Sequence, residues 1–305
     1  MEKVVRVSPA VESDGGEGIG KWRIESTEKE KKIHGDEIYD AVVVCNGHYI
    51  EPRLAEIPVV GQGRRCIAIT IVFLHHSKIS SASVVDISRD ISGFAKEVHV
   101  ASWSNSADTF TKQNGYTNIW MHSMIERVHE DGSVVFQNGE TVLGDVIMHC
   151  TGYKYHFPFL DTNGEVTVDD NCVGPLYKHI FPPALAPWLS FAGIPYKVLP
   201  FPMFELQSKW IAGVLSGRIK LPSKEDMMVE TKTMKDTFEA LGIPKRFTHC
   251  LGIDQFEYYD WLGSQIGCLG TEEWRKEMSL PIFMRKMKHP KITVVDFGGT
   301  SLYIE

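Results

Sequence analysis

Apolar and polar positions divide the chain into short buried strands, a few amphipathic helices and turns punctuated by glycine or proline. Alternation with period two at Val4–Val7, Lys21–Glu25 and Tyr39–Val44 predicts a small antiparallel meander with one buried face. The glycine-rich link Ser13–Gly20 lacks a GxGxxG spacing and precedes a strand, so it reads as a hairpin turn. Continuous apolar runs at Val42–Val44, Ile67–Leu74 and Val146–Met148 read as strands covered on both faces. Helical spacing from about Asp86 to Ala95 leads to a strand at Glu97–Ser102. A second meander follows from Ile125 to Met148, with Asp131-Gly132 and Asn138-Gly139 as hairpin turns.

Past residue 154 the text changes to proline and aromatic loops, a strand at Leu189–Ala192 and a helix at Met203–Leu215 stopped by Gly217. Ser223 and Asp226 form a capping-box-like start to a helix that ends at Leu241–Pro244. Tyr258, Trp261 and Leu262 mark another amphipathic helix, and these aromatics read as core. Lys291–Glu305 reads as a strand or a loose end.

One arrangement occurs twice. Asp40 to His48 and Asp145 to Tyr153 each run from an acid through an apolar strand to Cys, a polar residue, Gly and an aromatic ring. Small-residue turns of this kind let main chain pass close to a ligand or a neighbouring strand. The two copies frame residues 49–144.

Length changes this picture only by suggesting two domains, since 305 residues exceed a prior of roughly 150 per domain. The formal charge of -7 is spread among mixed acids and bases, which argues against nucleic acid as a partner. The N-terminus has no signal-peptide core, and no apolar run approaches the roughly 20 residues that cross a bilayer. A cytoplasmic protein without a membrane partner is the expectation. Six cysteines contain no CxxC pair and twelve histidines have no ligand spacing, so no metal site is expected.

At DEIYDAVVVCNGHYIEPRLAEIP, DISRDI, CTGYKYHFPFL, PLYKHIFPPALAP, FELQSKW and LGIPKR the chain resembles the plant flavin-containing monooxygenases that S-oxygenate glucosinolates. The likeness runs from Lys21 to about Asp260. It implies an α/β flavoprotein fold of two dinucleotide-binding domains, here with the N-terminal FAD βαβ unit missing. Residues 1–48 would be a remnant of the FAD domain, 49–149 an inserted NADPH-type domain, and 150–305 the C-terminal part of the FAD domain with a helical tail. The cofactors implied are FAD and NADPH, and the substrate a small thioether, a methylthioalkyl glucosinolate converted to its methylsulfinylalkyl form. The resemblance names no catalytic side chain, because in such enzymes the flavin performs the chemistry.

The cofactor-binding positions it implies are Asn46 and Gly47 at one domain crossover, Thr151 and Gly152 at the other, and Ile79, Ser80, Ser81, Ala82, Ser83 and Val84 at the NADPH turn. Tyr153, Phe204 and Gln207 are further side chains placed by the matched phrases. Several positions depart from the family. Ile79 and Val84 stand where it has glycines, only Gly61 or Gly63 answers to its FxGxxxH signature, and Trp103 replaces an arginine for the 2′-phosphate. A β-branched residue at a pyrophosphate turn blocks close approach of the backbone. Two functions stay open: an S-oxygenating monooxygenase, and a catalytically impaired remnant that binds a partner or has no function.

Overall fold

The computed structural model describes residues 2–10, 21–28, 33–60, 70–75, 82–102, 105–106, 108–288, 293–297 and 300–304. The Ser13–Gly20 turn, Gly61, Gly63, Ile79, Ser80, Ser81 and Trp103 lie outside the described residues. The chain forms two compact units, one made of Met1–Ile50 with Tyr155–Glu305 and the other of Glu51–Lys154.

Unit one opens with strands β1 (Glu2–Pro9), β2 (Trp22–Glu28) and β3 (Ile33–Tyr39), an antiparallel meander in that order. Successive residues of a strand face opposite ways, so Trp22, Ile24 and Ser26 of β2 share one face. Trp22 and Ser26 are buried, and Ile24 packs at the edge of the same core. β4 (Val42–Val44) comes next.

Unit two begins with β5 (Glu51–Pro52), β6 (Val59–Val60), β7 (Thr70–His75), α1 (Ala82–Ser92) and β8 (Glu97–Ser102). It continues through β9 (Phe110–Lys112), β10 (Ile119–His122), β11 (Ile125–His129), β12 (Ser133–Phe136), β13 (Thr141–Leu143), β14 (Val146–His149) and β15 (Tyr153–Lys154). One sheet has the order β14-β7-β8-β10-β9, parallel except for β9. The helix α1 links β7 to β8 and lays Val84, Ile87, Ser88 and Ile91 along one stripe. That stripe meets Val98 and Val100 of β8 and Ile119 of β10. A second sheet, β13-β12-β11-β6, turns at Asp131-Gly132, where Asp131 Oδ1 accepts from Ser133 N at 2.8 Å. At its other turn Asn138 Oδ1 accepts from Glu140 N at 3.1 Å.

Unit one resumes with β16 (Thr167–Asp169), β17 (Cys172–Gly174) and β18 (Leu189–Phe191), which pairs in parallel with β4. Helices α2 (Pro200–Leu215), α3 (Lys224–Ala240), α4 (Gln255–Ile266) and α5 (Glu273–Lys288) precede an antiparallel pair, β19 (Thr293–Phe297) and β20 (Thr300–Ile304). Ser223 caps α3 by accepting from Asp226 N at 3.0 Å, worth about 1 kcal/mol. A core of Met203, Leu206 and Trp210 from α2 meets Tyr259 and Leu262 from α4. Each such fully buried side chain contributes roughly 1.5–3 kcal/mol.

Three expectations need correction. The first helix of unit two starts at Ala82 and ends at Ser92, not Asp86 to Ala95, because Val84 is buried as its first inward residue. Helix α2 starts at Pro200, where the fixed φ and missing N–H of proline suit a first turn. In β4 only the face of Val42 and Val44 is covered, with Val43 exposed, and in β14 Ile147 and Met148 are half-buried on opposite faces while Val146 is exposed.

A buried histidine pair adds a titratable element to unit two. His99 Nδ1 of β8 lies 2.8 Å from His122 Nε2 of β10, and the His122 ring stacks on Phe136 at 3.8 Å. Burial lowers both pKa values, that of His122 to about 3, while the Glu97 carboxylate partly offsets the effect at His99. A histidine with a depressed folded pKa is protonated more readily in the unfolded chain. Its contribution is complete above the ordinary value near 6.5 and falls as pH drops toward about 3. Urea unfolding is expected to show a loss on the order of 1–3 kcal/mol between about pH 7 and about pH 4.5. The double substitution His99→Leu with His122→Phe should reduce that slope; an unchanged slope would contradict the assignment.

Candidate functional site

Parallel pairing brings the C-terminal ends of β4 and β18 to one edge of unit one, the edge at which open α/β sheets bind ligands. From β4 the chain enters Cys45-Asn46-Gly47-His48, and from β18 it enters Ala192-Gly193-Ile194. Gly47 has φ +69° with nothing within 4 Å of where a Cβ would stand, so main chain there faces open space. Gly193 has φ +85°, and a Cβ there would stand 3.0 Å from Phe204 Cε1.

Side chains from distant positions hold the Gly193 turn at each polar atom. His48 Nδ1 donates to Gly193 O at 3.2 Å, and Gln207 Oε1 accepts from Gly193 N at 2.9 Å. Gln207 Nε2 donates to Tyr258 Oη at 2.9 Å, and that hydroxyl donates to Lys178 O at 2.9 Å. Tyr155 Oη donates to Ile194 O at 2.5 Å. Burial raises the pKa of Tyr155 and of Tyr258, so both stay phenols and donors. Burial lowers the pKa of His48 against the opposing hydrogen bond to Gly193. With Nδ1 carrying the proton, the lone pair of His48 Nε2 is a buried acceptor without a hydrogen-bond partner. Asn46 Nδ2 donates to His156 O at 3.3 Å.

In unit two, β7 lies between β8 and β14 and is parallel to both. The C-terminal ends of such parallel strands are where open α/β sheets bind dinucleotides. Of the six positions expected at this turn, Ala82, Ser83 and Val84 form the first turn of α1, which corrects their reading as loop. Val84 is 3% exposed and packs with Val98, Val100 and Ile119, which glycine would not do. Thr151 and Gly152 serve the chain's entry to and exit from this unit. Thr151 Oγ1 donates to Arg53 O, Arg53 N donates to Gly152 O at 2.9 Å, and β5 pairs with β15.

Thus Asn46, Gly47, Phe204 and Gln207 fall together in unit one, whereas Thr151, Gly152 and Tyr153 fall with Arg53 in unit two. Sequence reasoning missed His48, Tyr155, Gly193 and Tyr258. Their pairing spans up to 145 positions, so no short phrase contains both partners. No helix among the described residues is long and apolar enough to cross a membrane. No group of three or more His, Cys, Asp or Glu among them could hold a metal ion.

These features define an α/β protein with parallel strand-end turns, of the class that binds dinucleotides. Residues 107–299 match the model of the family described as flavin-binding monooxygenase-like. The chain is 68% identical over 298 residues to flavin-containing monooxygenase FMO GS-OX-like 3 of Arabidopsis thaliana, covering 95% of this chain and 65% of that relative. It superposes on S-allyl-L-cysteine S-oxygenase from Allium sativum with a TM-score of 0.83 at 51% identity, covering 95% of this chain and 66% of that one. Tmm from a Pelagibacter strain shares the fold, with a TM-score of 0.75 at 20% identity over 100% of this chain and 68% of that one. The chain belongs to the flavin-containing monooxygenase family, a family of FAD- and NADPH-dependent oxidoreductases. It spans less than two thirds of the length of the first of these relatives, 65%.

Two sets of substitutions check this geometry by urea denaturation. Gly47→Ala meets only backbone strain and should cost about 1 kcal/mol, whereas Gly193→Ala adds contact with Phe204 and should cost roughly 2–4 kcal/mol. Equal costs would refute the tight Gly193 turn. Val84→Gly removes buried volume and puts glycine in a helix, an expected loss of roughly 2–4 kcal/mol. A neutral result would mean that Val84 is not packed as described.

Proposed function

We propose that unit one is the FAD domain, residues 1–48 and 150–305 of the sequence division, and that unit two, residues 49–149, is the NADPH domain inserted into it. In this reading Asn46 and Gly47 line the flavin side at the end of β4. His48, Tyr155 and Gln207 fix the Gly193 turn opposite them, so that main chain meets a planar ring without rearrangement. Ala82, Ser83 and Val84, with Ile79, Ser80 and Ser81 before them, mark the NADPH turn, and Thr151 and Gly152 the second crossover.

The reaction proposed is S-oxygenation of a small thioether, a methylthioalkyl glucosinolate giving the methylsulfinylalkyl product, in the cytoplasm. One atom of dioxygen forms the new S–O bond and the other leaves as water. NADPH supplies two electrons and, with a solvent proton, balances that water. Bound FAD supplies the redox chemistry, and the protein's part is to orient the rings, admit the sulfur and exclude bulk water. What carries the reading is the Gly193 turn, held at both its N–H and its C=O, in a chain 68% identical to a flavin-containing monooxygenase.

A second reading, that this chain is impaired in the reaction and serves as a binding protein or has no function, draws on a different observation. None of the 305 residues forms a GxGxxG phrase, and Val84 fills the space at the only helix that follows a parallel strand among the described residues of unit two. Incubating the chain with FAD, NADPH and a methylthioalkyl glucosinolate separates the readings by mass spectrometry of the product. A sulfoxide formed as fast as by a full-length relative supports the first reading alone. Slow or absent product with NADPH unoxidised supports the second. Oxygenation of other thioethers but not of this one would overturn the substrate.

A further inference from the structure

Unit one contains a second concave site whose lining shares only Tyr258 with the side chains of the hydrogen-bond chain to Gly193. The bend at Lys178 and His179 has φ of 50° and 62°, uncommon for residues with side chains. Together with α3 and the start of α4 it borders a cleft of about 240 Å³. Leu176, Met234 and Leu251 give the cleft apolar wall, and Glu230, Asp254 and Glu257 bring carboxylates to it.

The one cation in the lining is already engaged. Lys178 Nζ is ion-paired with Glu230 and sits 4.8 Å from the Trp261 ring centroid. Asp254 and Glu257 are exposed, and neither carboxylate has a hydrogen bond or ion pair among the described residues. Two negative charges therefore face the cleft uncompensated.

His179 completes the picture at 7% exposure. Its Nδ1 lies 2.9 Å from Nδ1 of the buried His249. His249 Nε2 lies 3.0 Å from Val173 O and 3.2 Å from Val173 N, and the shorter contact, to the carbonyl, fixes the tautomer. His249 then donates from Nε2 to the Val173 carbonyl and accepts at Nδ1 from His179 Nδ1–H. That leaves the lone pair of His179 Nε2, which has no hydrogen-bond partner among the described residues, as an acceptor toward the cleft. Burial keeps both rings neutral, lowering the pKa of His179 to about 3 and of His249 to about 4. A neutral acceptor in the lining of a cleft with apolar wall and two free carboxylates suits a charged N–H donor on a short hydrocarbon.

We propose that this cleft binds a primary alkylammonium group, which donates to His179 Nε2, faces Asp254 and Glu257, and lays its methylenes on Leu176, Met234 and Leu251.

Titration of the full chain with n-propylammonium chloride, n-propanol and sodium propionate tests it, since the three probes match in size and differ in charge. Saturable shifts of the His179 and Tyr258 amide NMR resonances are expected with the ammonium compound alone. Asp254→Asn with Glu257→Gln, both at exposed positions, should weaken that binding at least about tenfold. No saturable shift, an equal response to propanol or propionate, or affinity unchanged by the double substitution would each overturn the proposal.

Discussion

Unit one depends on the parallel pairing of β4 with β18 and on the Gly193 turn that follows it. Val42 to Val44 lie against Leu189 to Phe191, and His48 reaches Gly193 across 145 positions of sequence. Loop-closure entropy rises only with the logarithm of loop length, so a connection of this length is thermodynamically tolerable once its ends are fixed. The antiparallel pairing of β5 with β15 keeps the two ends of the intervening unit together. With the ends joined, that unit can complete its own two sheets while β4 and β18 meet as neighbours.

From this pairing follows the character of the strand-end site. Gly193 adopts a left-handed φ, and a methyl group there would press on the Phe204 ring at 3.0 Å. Its N–H and C=O are both satisfied by side chains, Gln207 and His48, which removes the freedom such a turn would otherwise have. Tyr258 extends the same network to the Lys178 carbonyl, so helix α4 and the bend at Lys178 share in positioning the turn. The surface so made is rigid main chain at a sheet edge, and His48 Nε2 remains there as a buried acceptor in need of a donor.

Local chemistry was legible in the residues. The Asp-Gly and Asn-Gly turns, the Ser223 cap and the amphipathic spacing of Tyr258, Trp261 and Leu262 each depend on neighbours a few positions away. The start of α1 was not, because serines and β-branched residues in Ser80–Val85 read as a glycine turn gone wrong, whereas burial of Val84 places the first turn of a helix at Ala82. The exposure of Val43 and Val146 was likewise hidden, since an apolar run does not say whether its strand ends a sheet. The candidate residues Asn46, Phe204 and Gln207 came from matched phrases; their convergence with His48 and Gly193 is a tertiary fact that no short window contains.

The two ends of a dinucleotide make different demands. A flat ring needs shape and a few fixed polar atoms, and in the proposed reading the Gly47 and Gly193 turns carry both. A pyrophosphate needs bare amides at a helix N-terminus, and Val84, the third residue of α1, packs its side chain into the core of unit two. The strand-end architecture of the family is thus present among the described residues. Flavin fluorescence on titrating the chain with FAD tests the account most directly: saturable quenching that Gly193→Ala weakens is the expected result, and no saturable quenching would contradict it.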